Sequence, residues 1–172
     1  MSLTKVDLRA QLKQTRLELA DVEHTLQSRA IAERLKQVID WSQIKALHYF
    51  EPIRELFEVD TSDFITYIED EYPDLHLSTS RKIEDVWELI CVRGDKPSDK
   101  FDVIIVPMLG FDKDLQRIGY GGGYYDKFLA GQPQAQKVGV CFAQGKVEHI
   151  PTELHDIPLD IIVTNNEIFT NI

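Results

Sequence analysis

The sequence predicts an α/β fold: a single three-layer domain over residues 1–172, with a mostly parallel sheet covered by helices on both faces. Strand-like and helix-like segments alternate along the chain, as a parallel sheet requires. Several strand-like runs lack alternation of apolar and polar residues. Val103–Val106 has the sequence Val-Ile-Ile-Val, which is typical of a strand buried on both faces. A chain of 172 residues is also long enough to enclose one hydrophobic core.

Four helices are predicted from apolar residues that recur at helical spacing. Leu8 and Leu12 lie on a thin apolar stripe of the first helix, and the second carries a broader apolar face. Asp60 or Thr61 is placed to cap the third helix, and the fourth follows a glycine-rich loop directly. The predicted helices cover residues 3–17, 21–39, 61–70 and 124–129.

Six strands are predicted from short apolar runs bounded by turn residues. The first run, Ile44–Phe50, ends before Pro52, which lacks the N–H that a sheet ladder needs. The predicted strands cover residues 44–50, 75–79, 86–92, 103–106, 137–142 and 160–164. In such sheets the ligand lies beyond the carboxyl ends of the strands. The glycine-rich loop follows residues 103–106 and is therefore expected at that edge.

Charge and cysteine content exclude several classes of function. The chain has 19 basic and 29 acidic residues, a net charge of −10, which argues against binding nucleic acid or an anionic membrane. No apolar run is long enough for a membrane helix, and Met1–Arg9 lacks an apolar signal segment. Cys91 and Cys141 lie in apolar runs without a CxxC pair and are interpreted as buried thiols in a reducing compartment. We expect a soluble, cytoplasmic monomer.

Four of the nine glycines fall within residues 119–123. Because each glycine costs backbone entropy, such clustering needs a reason; a flexible surface turn is the simplest one. Here Arg117 precedes the cluster and Asp126 follows it. Glycine N–H groups can approach phosphate oxygens, an arginine donates to them in a fork, and a carboxylate suits Mg²⁺. The loop therefore favours a phosphate site.

The loop matches neither the Walker pattern GxxxxGK[ST] nor the dinucleotide fingerprint GxGxxG. Val106–Asp112 together with Arg117–Asp126 instead resembles the signature of the 5-formyltetrahydrofolate cyclo-ligases, also called methenyltetrahydrofolate synthetases. Lys5–Arg9 is similar to the KxxLR element of that family, and Glu58–Thr61 to its E-V-D-T segment. Without the family, these two segments would be a solvated helix face and a helix cap. Further similar residues are Val138–Phe142, Gln144, Pro151, His155 and Asp156.

The resemblance implies an ATP- and Mg²⁺-dependent ligase that converts 5-formyltetrahydrofolate to 5,10-methenyltetrahydrofolate. It implies catalytic roles for Lys5 and Arg117 and Mg²⁺ ligation by Asp126 and Asp156. The implied ATP-binding residues are Lys5, Arg9, Arg117, Gly119, Tyr120, Gly121, Gly122, Gly123, Tyr124 and Tyr125. The implied folate-binding residues are Glu58, Tyr120, Gly121, Gly122, Gly123 and Tyr124.

The resemblance covers residues 3–70 and 97–168 and leaves Leu75–Val92 without a counterpart. Trp87, within that segment, is interpreted as a core residue rather than a folate contact. Leu115 stands where the family prefers glycine, and a positive φ there would strain a leucine. Two other functions stay open: a non-catalytic nucleotide- or folate-binding relative with a remodelled middle segment, and a kinase or ligase acting on another formylated amine. The scattered histidines, including His149 and His155, are not expected to bind metal.

Overall fold

A computed structural model describes residues 3–171 of the protein. The four α-helices lie where the apolar spacing predicts them, with ends that differ by one or two residues. Thr4 caps the first helix by accepting a hydrogen bond from the Asp7 N–H, and the Asp7 carboxylate accepts one from the Thr4 N–H in return. The helices are α1 (Lys5–Leu17), α2 (Asp21–Val38), α3 (Ser62–Glu71) and α4 (Tyr124–Ala130).

Seven strands form one sheet, and two short strands form a separate hairpin. The bounds are β1 (Ala46–Tyr49), β2 (His76–Ile83), β3 (Val86–Arg93), β4 (Val103–Pro107), β5 (Gly110–Phe111), β6 (Arg117–Ile118), β7 (Gln136–Val140), β8 (Ile161–Val163) and β9 (Ile168–Thr170). The large sheet has the order β3-β2-β1-β4-β7-β8-β9. Its five inner strands are parallel, and the edge strands β3 and β9 are antiparallel to their neighbours.

Helices cover both faces of the sheet, which confirms the predicted fold class. On one face α2 and α3 pack against Val103 and Ile105 of β4. On the other face Ile104 and Val106 pack against Leu129 of α4 and the loops beside it. The first four residues of β4, Val103–Val106, are fully buried, as their uninterrupted apolar sequence predicts.

Helix α1 packs away from the two main clusters. Its Leu8 and Leu12 pack with Leu109, Ile118 and Ile150. Leu109 lies just after β4, Ile118 belongs to β6, and Ile150 lies between β7 and β8. This packing brings the start of α1 to the ligand edge of the sheet.

The structure differs from the sequence predictions in the length of β2 and the burial of Cys91, and it contains strands that were not predicted. Strand β2 extends to Ile83 instead of ending near Thr79, because Glu84 and Asp85 form a two-residue turn with φ of 46° and 67°. Cys91 is only half-buried because β3 is an edge strand, whereas Cys141 is buried as predicted. Strand β9 and the β5–β6 hairpin, too short to show a pattern, are additions. No helix within residues 3–171 is long and apolar enough to cross a membrane.

Candidate active site

A cleft of about 880 Å³ lies at the carboxyl ends of the parallel strands. Phe50, directly after β1, and Pro107, at the end of β4, form part of its wall. The remaining wall comes from the start of α1, the β2–β3 hairpin, the glycine-rich loop and residues 153–156. Every residue to which the sequence assigns a role in binding or catalysis lines this one cleft.

Positive charge is concentrated in the cleft. It holds seven of the chain's 19 basic residues but six of its 29 acidic residues. A protein of net charge −10 thus presents a locally balanced surface on which an anionic ligand can be bound. The basic residues are Lys5, Arg9, Lys13, Arg54, Arg81, Lys82 and Arg117.

The glycine-rich loop faces the cleft with its backbone exposed. Gly121 and Gly123 have φ of 96° and 66°, which a side chain would strain. Apart from the adjoining residues of the chain, no described heavy atom lies within 4 Å of the position that a Cβ would take at Gly122 or Gly123. The loop therefore leaves room for a ligand to approach its backbone. Helix α4, which starts at Tyr124, has only seven residues and adds little dipole.

Arg9 connects α1 to this loop. Its Nε donates a hydrogen bond to the Gly119 carbonyl oxygen at 3.0 Å. A Cβ at Gly121 would lie 3.4 Å from the same Nε, so the guanidinium group lies directly over that glycine. The two segments that the sequence motifs linked to phosphate binding, far apart in the chain, are thus in contact.

Lys5 and Arg117 each contact one of the two predicted Mg²⁺ ligands. Lys5 Nζ lies 2.5 Å from Asp156 Oδ2, and an Arg117 N–H donates to Asp126 Oδ1 at 2.5 Å. Arg117 is nearly buried, and its Nε has no hydrogen-bond partner among the described residues. Burial lowers the pKa of Arg117, while the charges of Asp126 and then Asp156 oppose that shift. Both carboxylates therefore act on one guanidinium group.

His155 lies closer to possible metal ligands than the sequence suggested. One ligand atom each from Glu153, His155 and Asp156 lies within 4.8 Å of the others. Burial raises the pKa of Asp156, but hydrogen bonds from Lys5 and the Glu153 N–H outweigh it and lower the pKa overall. Asp156 is therefore a carboxylate at neutral pH.

Glu58, the predicted folate contact, is a buried carboxylate at the cleft wall. It accepts a hydrogen bond from the Ile53 N–H at 2.7 Å. Burial raises the pKa of Glu58, opposed by hydrogen bonds from Ile53 and Tyr120 and by the charge of Arg16. Arg16 has no place in the sequence-based site. Its position four residues after Leu12 on the buried stripe of α1 is the signal that could have indicated it.

The interpretation of Trp87 as a core residue is wrong. Its side chain lines the cleft and stays 42% exposed, since β3 lies at the sheet edge. The ring stacks on Tyr124 with centroids 4.8 Å apart, and Tyr124 stacks in turn on Phe128 at 5.7 Å. The unmatched middle segment therefore supplies an aromatic wall to the cleft.

A buried polar pair supports this aromatic wall. Ser80, at the cleft end of β2, contacts the Tyr124 hydroxyl and lies 2.8 Å from His48 Nε2. Burial lowers the pKa of His48 to about 3, so the imidazole is neutral. No sequence pattern indicates this pair, because His48 belongs to β1 and Ser80 to β2.

The fold and the cleft define an α/β enzyme whose site lies at the strand ends. The family model of the 5-formyltetrahydrofolate cyclo-ligases matches residues 87–165. In these residues the chain is similar to the 5-formyltetrahydrofolate cyclo-ligases, as its motifs predict.

Relatives extend the match over the whole chain. The chain is 28% identical to the 5-formyltetrahydrofolate cyclo-ligase of Mycoplasma pneumoniae, over 95% of this chain and 99% of that one. It is 39% identical to the Escherichia coli enzyme of the same name over 80 residues, 45% of this chain and 44% of that one. A probable cyclo-ligase of Schizosaccharomyces pombe is 28% identical over the full length of both chains.

Two solved structures share the fold. The 5,10-methenyltetrahydrofolate synthetase of Mycoplasma pneumoniae has a TM-score of 0.80 and 26% identity, covering 95% of this chain and 99% of that one. The 5,10-methenyltetrahydrofolate synthetase of Aquifex aeolicus has a TM-score of 0.80 at 24% identity, covering 98% and 93% of the two chains, and supports the fold alone. Residues 75–92, which no sequence motif matches, therefore lie in a chain that aligns almost completely with both structures.

Proposed function

We propose that the protein converts 5-formyltetrahydrofolate to 5,10-methenyltetrahydrofolate, with ATP cleaved to ADP and phosphate. One observation supports the proposal more strongly than any other. The phosphate-binding motif, the KxxLR element and the E-V-D-T glutamate, which are distant in the chain, line a single cleft. The cyclo-ligases among the relatives support the same reaction.

The reaction needs ATP because the N5-formyl group is an amide, whose oxygen is a poor leaving group. Transfer of the γ-phosphoryl group to that oxygen gives an imidate phosphate and ADP. The N10 amine then attacks the formyl carbon and loses its proton, the C–O bond breaks, and phosphate leaves. Phosphoryl transfer depends mainly on positioning and charge neutralisation, so the enzyme needs no side-chain nucleophile.

Lys5, Arg9 and Arg117 supply that neutralisation. The exposed glycine backbone and Arg9 hold the phosphates from one side. Lys5 and Arg117 reach them from the other by exchanging their present carboxylate partners, Asp156 and Asp126, for phosphate oxygens. The planar guanidinium fork of Arg117 suits bidentate contact with a phosphate group.

Asp126 and Asp156 fit a Mg²⁺ ion. Both are carboxylates on the cleft wall, and both act on the Arg117 guanidinium group, so one phosphate chain can reach them together. The ion would neutralise phosphate charge, and hard oxygen ligands of this type are those it prefers. Release of Lys5 and Arg117 toward ATP would leave these carboxylates available for it.

We assign the pterin and formyl groups to a different part of the cleft lining from the phosphates. Glu58 offers a carboxylate to N–H groups, and Trp87 with Tyr124 offers an aromatic surface to a planar ring.

The test is to mix the protein with ATP, Mg²⁺ and 5-formyltetrahydrofolate and to follow the methenyl chromophore, while ADP release is measured in parallel. Turnover should require all three components. Arg117→Lys keeps the charge but removes the fork and should lower kcat/KM by at least about 100-fold. Lys113→Met, an exposed lysine outside the cleft, is the matched control and should leave it unchanged. Folded protein without chromophore or ADP formation would refute the proposal.

A non-catalytic relative is the second candidate, and the comparisons do not favour it. It would show stabilisation by ATP without any turnover. A single domain, a monomeric state and a cytoplasmic location stay predictions.

A further inference from the structure

Three polar side chains from three different elements are joined in one chain of hydrogen bonds. Ser80 of β2 stands in the middle: its Oγ is hydrogen-bonded to His48 Nε2 at 2.8 Å and to the Tyr124 hydroxyl. His48 belongs to β1, and Tyr124 is the first residue of α4. Ser80 and Tyr124 line the cleft, whereas His48 is fully buried and does not. The chain of hydrogen bonds therefore runs from the protein interior to the ligand cleft.

The His48 imidazole is held in place by aromatic rings. Its centroid lies 4.6 Å from that of Phe128 and 5.5 Å from that of Phe101. Its buried Nδ1 has no hydrogen-bond partner among the described residues. Burial lowers the pKa of His48 to about 3, so the ring is neutral and carries one proton, on either Nδ1 or Nε2. The position of that proton decides the direction of the whole chain.

Three proton arrangements satisfy both hydrogen bonds, because each hydroxyl has one proton. In the first, His48 Nε2–H donates to Ser80, Ser80 donates to Tyr124, and the Tyr124 proton is left for the cleft. In the second, Tyr124 donates to Ser80 and Ser80 donates to His48, which places the imidazole proton on the unpartnered Nδ1. In the third, His48 and Tyr124 both donate to Ser80, whose own proton then has no acceptor in the part of the chain that the structure describes.

Only the first arrangement gives every buried donor an acceptor. A buried donor without a partner keeps its full desolvation penalty, and unpaired buried N–H groups are rarer in proteins than unpaired acceptors. The first arrangement leaves only a lone pair on His48 Nδ1. It also makes the Tyr124 oxygen an acceptor from Ser80, which strengthens the Tyr124 O–H as a donor. The three residues therefore favour a phenolic proton that is available to a ligand.

We propose that Ser80 is a positioning residue for the folate: by donating to the Tyr124 hydroxyl it directs the phenolic proton into the cleft, toward a carbonyl oxygen of the bound pterin. The inference rests on the proposed function and adds to it a residue that acts through another. His48 fixes the direction of the Ser80 hydroxyl by donating to it. The stacking of Trp87 on Tyr124 places this hydroxyl beside the surface assigned to the planar ring.

The experiment measures steady-state kinetics for Ser80→Ala. The KM for 5-formyltetrahydrofolate should rise about 5-fold, the factor expected for one neutral hydrogen bond, and the KM for ATP less than about 2-fold. Tyr124→Phe keeps the stacked ring but removes the proton itself, so it should raise the folate KM at least as much. In a Tyr124→Phe background, Ser80→Ala should add less than about 2-fold, because the hydroxyl that it positions is already absent.

Ser78 supplies a matched control from the same strand. It is also buried, and its Oγ also lies near a histidine nitrogen, 3.1 Å from His76 Nε2, but it does not line the cleft. Ser78→Ala should therefore leave both KM values unchanged. An unchanged folate KM in Ser80→Ala, equal rises of the folate and ATP KM values, or independent effects in the double variant would overturn the inference.

The tautomer of His48 gives a second test that needs neither substrate nor a Ser80 variant. Long-range 1H–15N correlation spectra of the wild type should show the Nε2–H form, and an Nδ1–H form would contradict the proposed direction. With Tyr124→Phe, this measurement decides the inference if Ser80→Ala does not fold. Should the wild type bind 5-formyltetrahydrofolate without turning it over, the proposed function fails separately. Dissociation constants from equilibrium titration then replace the KM values, with the same criteria for Ser80.

Discussion

Leu115 has a left-handed backbone conformation, which favours glycine over a residue with a side chain. Its φ is 56°, in the left-handed region, yet its side chain is only 1% exposed and packs in the cluster that contains Ile104 and Phe111. Its carbonyl oxygen also accepts a hydrogen bond from the Leu159 N–H at 3.0 Å. Strain and burial therefore act in opposite directions at one residue.

The two effects differ in size. An L-residue in the left-handed region costs about 1–2 kcal/mol relative to the right-handed one. Replacing a buried leucine with alanine costs about 2–5 kcal/mol. Burial outweighs strain, so both Leu115→Ala and Leu115→Gly should be less stable than the wild type. Leu115→Gly, which is relieved of the strain, should be more stable than Leu115→Ala by about 1 kcal/mol.

Equilibrium unfolding in urea measures the difference. With m near 3 kcal/mol/M, the upper end of the usual range, a loss of about 3 kcal/mol lowers the midpoint by about 1 M. The midpoint of Leu115→Gly should lie about 0.3 M above that of Leu115→Ala. Both variants should keep wild-type KM values while folded, because Leu115 does not line the cleft. A glycine variant less stable than the alanine variant would refute the reasoning.

Three further predictions concern the cleft. Trp87→Leu should raise the KM for 5-formyltetrahydrofolate about 3- to 10-fold in steady-state assays, because it removes the ring stacked on Tyr124. Trp87→Phe, which keeps an aromatic ring, should raise this KM less. Equal effects of the two variants would argue against stacking. Asp126→Asn should raise the Mg²⁺ concentration for half-maximal activity at least about 10-fold, with folate binding by titration unchanged; an unaltered Mg²⁺ dependence would remove Asp126 from the metal site. Glu58 has a raised folded-state pKa, so its contribution to stability is present below its usual pKa and is lost as pH rises through the raised value. The urea stability of Glu58→Gln should therefore improve relative to the wild type between pH 4 and pH 8, and a constant difference would contradict this assignment.

The helices and inner strands were predictable because local patterns determine them. Val103–Val106 is apolar at every position since both faces of β4 are covered, and Leu8 with Leu12 shows the buried stripe of α1. The candidate site residues were also accessible from the sequence, because their motifs are long and their spacing is specific. Their meeting in one cleft follows from the rule that parallel strands share a ligand edge.

The sequence by itself determined the fold class, the resemblance to the cyclo-ligases and the candidate site residues that meet in the cleft. Only the tertiary structure decided that Trp87 forms its wall, that Arg16 contacts Tyr120, and that burial offsets the strain at Leu115. These features depend on contacts between residues far apart in the chain, whereas periodicity and motif spacing report only on neighbours. An edge-strand tryptophan looks locally like a core residue, and its surroundings reverse that interpretation.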